Sequence, residues 1–426
     1  MTQRRGLPGR RLVEPGGIGV KIQTDPLPPL AASPENDLRG RIDAELRELR
    51  EHSQFRSLDI PRGLNLCSND YLGLAADPRL KQAVLAALAS STRIASTGSR
   101  LLSGNSRDWE AIESEFANFV GAESALYFSS GYAANVGLLS SVLRDGDIVF
   151  SDALDHASLI DGIRLSHARK IIYPHGDLRF LESALQGNAN APGAKLIVTE
   201  SIFSMEGDVA PLGQLVKLAS RYGAELIVDE AHAIGVCGLE GRGIVADLPD
   251  RSRILAAVYP CGKALASCGA FVCCNSAVKD YLVNHARSFI FSTATPPYIA
   301  HQIRAALTIA RSADARRAHL HQISAALRAA LTAGGLNCGS GDTPIVPVII
   351  GSNESALRIA SELQSSGFAV KAIRPPTVPP GTARIRLSLT SEMSLEDVHR
   401  LAQVLVTAAS SISGSRDATS ASLAHA

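Results

Sequence analysis

The sequence predicts an α/β protein with a largely parallel sheet and a smaller α+β lobe towards its C-terminal side. Short apolar runs alternate with helical segments through the middle of the chain, which is typical of parallel βαβ units. This pattern starts afresh near residue 344, which indicates a second lobe. At 426 residues, 46% of them hydrophobic, the chain can bury a large core and divide it between lobes.

Each element follows from a local pattern. Leu38, Ile42, Leu46 and Leu49 lie at helical spacing, so we expect a charged amphipathic helix over 37–54. Further along, the sequence predicts strands over 64–66, 125–128, 196–199, 225–228, 254–258 and 270–274, and helices that open at 131 and span 211–222. In the second lobe it predicts strands over 345–350, 369–373 and 384–389, and helices over 354–366 and 395–408.

The predicted elements group into five segments. They are a disordered tail over 1–37, a helix and strand segment over 38–65, a large domain over 66–302, a small domain over 303–409 and a disordered tail over 410–426. The arginine-rich start of the chain could suggest an organelle transit peptide, but the glycines and prolines that follow it favour a plain tail.

Charge and composition exclude several classes of partner. A net charge of +1 argues against nucleic acid and acidic membranes, and no apolar run is long enough to span a bilayer. The seven cysteines are scattered and form no CxxC motif, so we expect neither a zinc site nor a secreted disulfide framework. A protein of the reducing cytoplasm, without a bound metal, fits these features.

Lys263 is the only charged residue between Arg253 and Lys279, in a stretch that is otherwise small and apolar. Burying an unpaired ammonium is costly, so such a lysine tends to lose its charge through a lowered pKa or a Schiff base. The alternative is a surface lysine in a loop between two strands, and this stretch alone does not decide between them.

Several polar residues follow predicted strands directly: Ser204, then Asp229 with His232, then Lys263. The carboxyl ends of strands in an open α/β sheet form the edge where ligands bind, so these side chains should meet. Taken singly, Asp229 could be a helix N-cap and His232 a core histidine. Gly131 opens a helix after a strand, and its amides suit an anion, although an ordinary turn would look the same.

An imine-forming lysine, an aspartate on the adjacent strand and an anion pocket are what pyridoxal 5'-phosphate (PLP) needs. Lysine holds the aldehyde, aspartate keeps the pyridine nitrogen protonated and helix amides hold the phosphate. A lyase that uses a Schiff base without PLP would leave His156 and the Gly131 helix start unexplained.

The chain resembles the α-oxoamine synthases, PLP enzymes with the aminotransferase-like type I fold, over roughly residues 38–408. The resemblance implies a large domain with a mostly parallel seven-stranded sheet and a small α+β C-terminal domain. It is carried by residues 68–73 (SNDYLG), 98–104 (GSRLLSG), 131–135 (GYAAN), 152–158 (DALDHAS), 203–208 (FSMEGD), 229–232 (DEAH), 262–264 (GKA) and 291–297 (FSTATPP). Residues 373–390 are most similar to the members that condense L-alanine with pimeloyl-CoA or pimeloyl-acyl carrier protein in biotin biosynthesis.

This resemblance implies a role for each matching residue. Lys263 would hold PLP and then transfer protons, His156 would stack on the pyridine ring, and Asp229 would pair with the ring nitrogen. The other implied cofactor contacts are Gly131, Tyr132, Ser204, His232 and, in a homodimer with shared active sites, Ser292 and Thr293. The implied substrate contacts are Asn69, Arg56, Thr377 and Arg386, the last as the fork for the amino-acid carboxylate.

Two positions depart from the family pattern. Pro260 stands where a threonine hydroxyl commonly contacts the phosphate, and proline offers neither a hydroxyl nor an N–H. Trp109 stands where many members have histidine, whose proton transfer an indole cannot replace. Two alternatives to the pimeloyl reaction stay open. One is a family member that joins other substrates, such as glycine and acetyl-CoA, and the other is a non-catalytic partner subunit.

Overall fold

A computed structural model of the chain describes residues 37–423, with side chains as far as residue 411. The chain divides into two compact units after Phe55. The described part of the first unit contains helix α1, Leu38–Glu51, whose N-terminus is capped by the Asp37 carboxylate. This confirms the helix expected over 37–54, and none of its residues is buried.

The second unit contains the remaining elements. Its strands are Leu64–Asn65 (β1), Ser124–Phe128 (β2), Ile148–Asp152 (β3), Arg169–Tyr173 (β4), Lys195–Glu200 (β5), Glu225–Asp229 (β6), Ile254–Pro260 (β7), Ala270–Cys274 (β8), Ile345–Gly351 (β9), Phe368–Ala369 (β10), Ala372–Ile373 (β11) and Ala383–Ser388 (β12). Its α-helices are Pro78–Ser90 (α2), Arg107–Val120 (α3), Gly131–Val142 (α4), Ala157–Leu165 (α5), Leu178–Gly187 (α6), Leu212–Tyr222 (α7), Ser276–His285 (α8), Arg287–Ile290 (α9), Tyr298–Arg311 (α10), Asp314–Ala333 (α11), Asn353–Ser365 (α12) and Leu395–Leu423 (α13).

Seven strands form the main sheet in the order β2-β8-β7-β6-β5-β3-β4. Strand β8 runs antiparallel to both of its neighbours, and the other neighbouring pairs are parallel. The predicted mostly parallel seven-stranded sheet is therefore confirmed. Strands β3 and β4 were not among the strands predicted from the sequence.

Hydrophobic cores cover both faces of this sheet, because successive residues of a strand point to opposite sides. Along β5, Ile197 joins one core, while Leu196 and Val198 join the other. Helices α4 and α5 lie over the second core, and α3 and α7 lie over the first. With both faces covered, the polar ends of the strands are left as the place where a ligand can enter.

The C-terminal part contains a three-stranded antiparallel sheet in the order β11-β12-β9, as expected for an α+β lobe. The single strand predicted over 369–373 is wrong. The chain changes partner there, since β10 pairs in parallel with β1 whereas β11 pairs with β12. A continuous apolar run in the sequence does not show this change of partner.

The structure bears on only some of the predicted tails and domain boundaries. The tail predicted before Asp37 lies outside the described residues. Helix α13 continues to Leu423, through a stretch predicted as tail. The boundaries at 65, 302 and 409 stay predictions. No helix within residues 37–423 is long and apolar enough to cross a membrane.

Candidate active site

A cavity of about 520 Å³ lies at the edge of the main sheet where β5, β6 and β7 end. Its size is within the range of small-molecule sites. Most of the predicted site residues line it, namely Asn69, Gly131, Tyr132, His156, Ser204, Asp229, His232, Lys263 and Arg386. Residues from three strand ends thus meet at one edge, as the strand positions predict.

Lys263 lies in the loop that connects β7 to β8. Its carbonyl accepts a hydrogen bond from the Ala266 amide at 2.8 Å, and the loop is closed by a bond from the Cys261 amide to the Gly269 carbonyl. Burial lowers the pKa of Lys263, although the negative charges of Asp229 and Glu200 oppose this effect. The amine is therefore more easily deprotonated than an exposed lysine. The loop position of the alternative is correct, but the side chain is half-buried in the cavity wall rather than on the open surface.

Asp229, the last residue of β6, is buried and hydrogen-bonded through both carboxylate oxygens. Asn135 Nδ2 donates to its Oδ2 at 2.6 Å, and the Ala231 amide donates to its Oδ1 at 2.9 Å. Asn135 Nδ2 also lies 2.9 Å from Ser158 Oγ. The bond to Ala231 is a local turn contact and no helix follows directly, so the N-cap alternative is wrong.

His156 lines the cavity and is held there at one ring nitrogen. It caps helix α5, because the Ser158 amide donates to Nδ1 at 3.2 Å. A nitrogen that accepts this bond carries no proton, so the proton of the neutral ring lies on Nε2. Burial of the ring lowers the pKa of His156 and Lys263 lowers it further, while Asp229 opposes both effects.

His232 and Tyr71 form a buried pair on another wall of the cavity. The Tyr71 hydroxyl lies 2.6 Å from His232 Nδ1 and 3.2 Å from Asn69 Oδ1. Burial lowers the pKa of His232 well below its ordinary value, and the positive charges of Lys263 and Arg386 add to this, so the ring is neutral. Burial also raises the pKa of Tyr71 to about 12, which keeps its hydroxyl protonated.

Arg386 projects from β12 into the same cavity and is fixed by each of its nitrogens. Nε donates to the Ser204 carbonyl, Nη1 to Ser388 Oγ at 2.6 Å and Nη2 to Asn69 Oδ1 at 3.1 Å. These bonds use only part of the five N–H donors of a guanidinium. A rigid, partly committed guanidinium in a cavity is suited to bind a carboxylate.

Helix α4 begins at Gly131 on the cavity wall, with Ser130 Oγ accepting from the Ala133 amide at 3.0 Å. A Cβ atom at position 131 would lie 2.9 Å from Pro260 Cγ, so the proline ring packs directly against the glycine. The next residue, Tyr132, is exposed and donates its hydroxyl to Asp161. The helix start therefore presents backbone to the cavity, with Pro260 immediately beside it.

Three predicted site residues do not line this cavity. Arg56 Nη2 donates to Thr377 Oγ1 at 3.1 Å, which places these two residues together but away from the cavity wall. Thr293, together with Ser292, lines a separate space of about 20 Å³ that shares Ser129 with the main cavity. The functional roles suggested for them stay predictions.

The sequence did not point to several buried polar residues at the site. Glu200 and Asp155 are buried, and burial raises the pKa of each carboxyl well above its ordinary value, with nearby carboxylates adding to the shift. Burial therefore favours the uncharged form of each carboxyl. Glu200 ends a strand, as Asp229 does, which is the one sequence signal that could have identified it.

A family model described as aminotransferase class I and II matches residues 61–405. The 8-amino-7-oxononanoate synthase of Burkholderia thailandensis is 45% identical over 383 residues, which is 87% of this chain and 96% of that relative. The enzyme of the same name from Burkholderia mallei is 48% identical over 350 residues, 81% of this chain and 88% of the relative.

Solved structures also resemble this chain. A serine palmitoyltransferase of Sphingomonas wittichii superposes with a TM-score of 0.82 at 29% identity, covering 88% of this chain and 98% of that one. The serine palmitoyltransferase of S. paucimobilis, solved with a bound PLP–myriocin aldimine, gives 0.81 at 28% identity, covering 88% and 99%. The 8-amino-7-oxononanoate synthase of Francisella tularensis gives 0.71 at 30% identity, covering 81% and 97%.

Proposed function

The chain belongs to the aminotransferase class I and II family, and from that premise we propose that it condenses L-alanine with a pimeloyl thioester to form 8-amino-7-oxononanoate. It is a PLP-dependent acyltransferase of the α-oxoamine synthase group. The observation that carries the proposal is the cavity in which the buried Lys263 amine faces Asp229 and Arg386. The pimeloyl donor is carried by CoA or by acyl carrier protein, and the reaction belongs to biotin biosynthesis.

The residues of the cavity fit PLP. A half-buried lysine with a lowered pKa suits the aldehyde, and a carboxylate fixed by Asn135 suits the pyridine nitrogen. The backbone of Gly131, where a side chain would collide with Pro260, suits a close approach of phosphate to a helix start. We assign the remaining contacts to His156 against the ring, to Ser204 and His232 near its phenolic oxygen, and to Tyr132 beside the phosphate.

When bound, PLP supplies an electron sink that stabilises negative charge on the Cα atom of the amino acid. Lys263 Nζ takes the proton from that Cα atom, which requires a neutral amine, and burial favours this form. Arg386 holds the carboxylate of alanine through its free N–H groups, with Asn69 alongside. The guanidinium thereby orients the Cα–H bond towards the lysine.

The reaction joins the alanine Cα atom to the acyl carbon of the thioester. The carbon–sulfur bond breaks with release of the thiol, the carboxyl group of alanine leaves as carbon dioxide, and Lys263 returns a proton to the same carbon. Thr377 and Arg56, which hydrogen-bond to each other, position the acyl donor from outside the cavity. In a cytoplasmic homodimer with shared active sites, Thr293 and Ser292 contact the cofactor of the partner subunit.

Borohydride reduction tests cofactor attachment. Protein purified with PLP should be yellow, and reduction should leave the cofactor mass on the peptide that contains Lys263. Lys263→Ala should abolish this label, whereas Lys217→Ala, on the exposed face of α7, should retain it. A wild-type protein that remains colourless and unlabelled after PLP is added would contradict PLP chemistry at Lys263.

A substrate matrix tests the reaction itself. L-alanine, glycine and L-serine should each be combined with pimeloyl-CoA, acetyl-CoA and palmitoyl-CoA, with the product identified by mass. L-alanine with pimeloyl-CoA should give the highest kcat/KM. L-serine with palmitoyl-CoA is included because serine palmitoyltransferases superpose closely on this fold. Preference for another pair would reassign the substrates, and no turnover with any pair would favour a non-catalytic subunit.

A further inference from the structure

His175 lies between two carboxylates beside the active-site cavity, in the turn that follows β4. Its Nδ1 is 2.9 Å from Asp152 Oδ1, and its Nε2 is 2.9 Å from Asp208 Oδ2. A carboxylate can only accept a hydrogen bond, so each ring nitrogen must carry a proton to make both contacts. A neutral ring would instead direct one lone pair at a carboxylate. The geometry therefore requires an imidazolium.

The charges around His175 keep it in this form. Burial alone would lower the pKa of His175, but the hydrogen bonds to Asp152 and Asp208 and their negative charges outweigh burial and raise the pKa to about 10. On its remaining side the ring meets the edge of Phe203, with the ring centroids 4.4 Å apart. Asp155 adds a further acidic group near Asp152.

Each carboxylate belongs to a segment that reaches the cavity. Asp152 is the last residue of β3. Its oxygens also accept from the amide of Leu154, in the segment that leads to His156, and from the amide of Gly176, next to His175. Asp208 ends the loop over residues 203–208, which contains Ser204 and Met205. His175 thus joins the His156 segment to the 203–208 loop.

Residues of the small lobe hydrogen-bond to the other side of the 203–208 loop. Arg386 donates to the Ser204 carbonyl, and Arg384 donates to Glu206 Oε1 at 2.7 Å. Thr343 Oγ1 donates to the Gly207 carbonyl at 2.6 Å. A displacement of the loop would therefore move the Ser204 carbonyl, which is one of the contacts that orients the Arg386 guanidinium.

We propose that His175 is a positioning residue, which holds the 203–208 loop against the main sheet and thereby sets the orientation of Arg386 for the amino-acid carboxylate. This role rests on the proposed function of Arg386. His175 does not line the cavity, so it acts through Asp208 and Ser204 rather than on the substrate. The chain of contacts runs from His175 to Asp208, through the loop to Ser204, and then to Arg386.

The test compares His175→Ala, Asp208→Ala and the double variant, each loaded with PLP. The spectral change on titration with L-alanine gives the amino-acid dissociation constant. Loss of a charge-assisted hydrogen bond that fixes the loop should weaken L-alanine binding about tenfold in each single variant. The double variant should be no worse than either single one, because both remove the same link. The KM for pimeloyl-CoA should stay within about twofold of wild type, since that substrate does not use Arg386.

A matched control is available in the surface pair of His301 and Asp108, whose N–O distance is 3.2 Å. His301→Ala should bind L-alanine like the wild type. Wild-type affinity in both His175→Ala and Asp208→Ala would overturn the proposal, as would additive losses in the double variant. If the alanine variants do not fold, His175→Gln and Asp208→Asn are measured in their place. A wild-type affinity for L-alanine in both would again overturn the positioning role of His175.

A second readout needs neither cofactor nor turnover. Nitrogen-15 NMR of the histidine rings should show an imidazolium signal at pH 8.5 in the wild type that is absent from His175→Ala. A neutral His175 at that pH would overturn the bridge itself. If the imidazolium is present but the wild-type protein gives no spectral change with L-alanine, the proposed function fails rather than the charged bridge.

Discussion

The charged state of His175 makes a quantitative prediction about stability. Its pKa rises from an ordinary value of 6.5 in the unfolded chain to about 10 in the fold. At about 1.4 kcal/mol for each unit, this corresponds to at most about 5 kcal/mol of stabilisation. The side chain is 25% exposed, and solvent screening reduces the value, so we expect roughly 3–4 kcal/mol.

The pH dependence follows from the direction of the shift. A group with a raised pKa contributes its full stabilisation below the unfolded value and loses it as the pH rises through the folded value. The difference in free energy of unfolding between wild type and His175→Ala should therefore be largest at about pH 6. It should fall steadily between pH 6.5 and 10, and only the pH-independent loss of ring packing should remain above pH 10.

Urea unfolding at a series of pH values measures this difference. The chain has one tryptophan, Trp109, which is fully buried and stacked on Tyr127 in the large domain, so its emission reports unfolding there. Glu230, whose pKa is raised to about 7, titrates in the same range but is common to both proteins and cancels. A stability difference that does not change between pH 6 and 10 would refute a charged His175.

Three other substitutions have expected outcomes. Pro260→Thr supplies a hydroxyl beside Gly131, so titration of the apoprotein with PLP should give a dissociation constant about tenfold lower than that of the wild type. An unchanged affinity would show that the proline does not cost the protein a contact to the phosphate. Ala266 lies in the Lys263 loop with a φ of 41°, in the left-handed region that glycine adopts more easily than alanine. Ala266→Gly should therefore raise the free energy of unfolding in urea by about 0.5–1 kcal/mol. A lower free energy of unfolding would show that the backbone is not strained there. Tyr71→Phe should lower the free energy of unfolding by about 1–3 kcal/mol, since His232 loses the hydroxyl that lies 2.6 Å from its Nδ1. An unchanged midpoint of urea unfolding would contradict this hydrogen bond.

The sequence predicts those parts of the site that depend on strand ends. Asp229 and Lys263 follow apolar runs, and the carboxyl ends of neighbouring parallel strands must lie at one edge, so their meeting follows from local patterns. Strand β4 was not predicted because its first two residues, Arg169 and Lys170, are polar and exposed. Such an edge strand lacks the apolar run by which the buried strands were recognised.

Contacts between distant segments could not be predicted in this way. Arg56 and Thr377 are separated by 321 positions, and His175 bridges the end of β3 and the 203–208 loop. No spacing rule connects such residues, because the three-dimensional path of the loops determines which side chains meet. The raised pKa of Glu200 likewise depends on its burial, and the sequence shows only a glutamate at the end of an apolar run.

Burial explains how Lys263 can be neutral in an acidic setting. Asp229 and Glu200 line the cavity together with Lys263, and their negative charges would favour the ammonium form of the lysine. Burial raises the pKa of the Glu200 carboxyl well above its ordinary value, and the charge of Asp229 adds to this shift, so the negative charge that Glu200 sets against burial of the amine is reduced. The nearby positive charge of Arg386 lowers the pKa of Lys263 further. The same burial that raises the pKa of Glu200 therefore lowers the pKa of Lys263, and both shifts favour the neutral amine that proton abstraction requires.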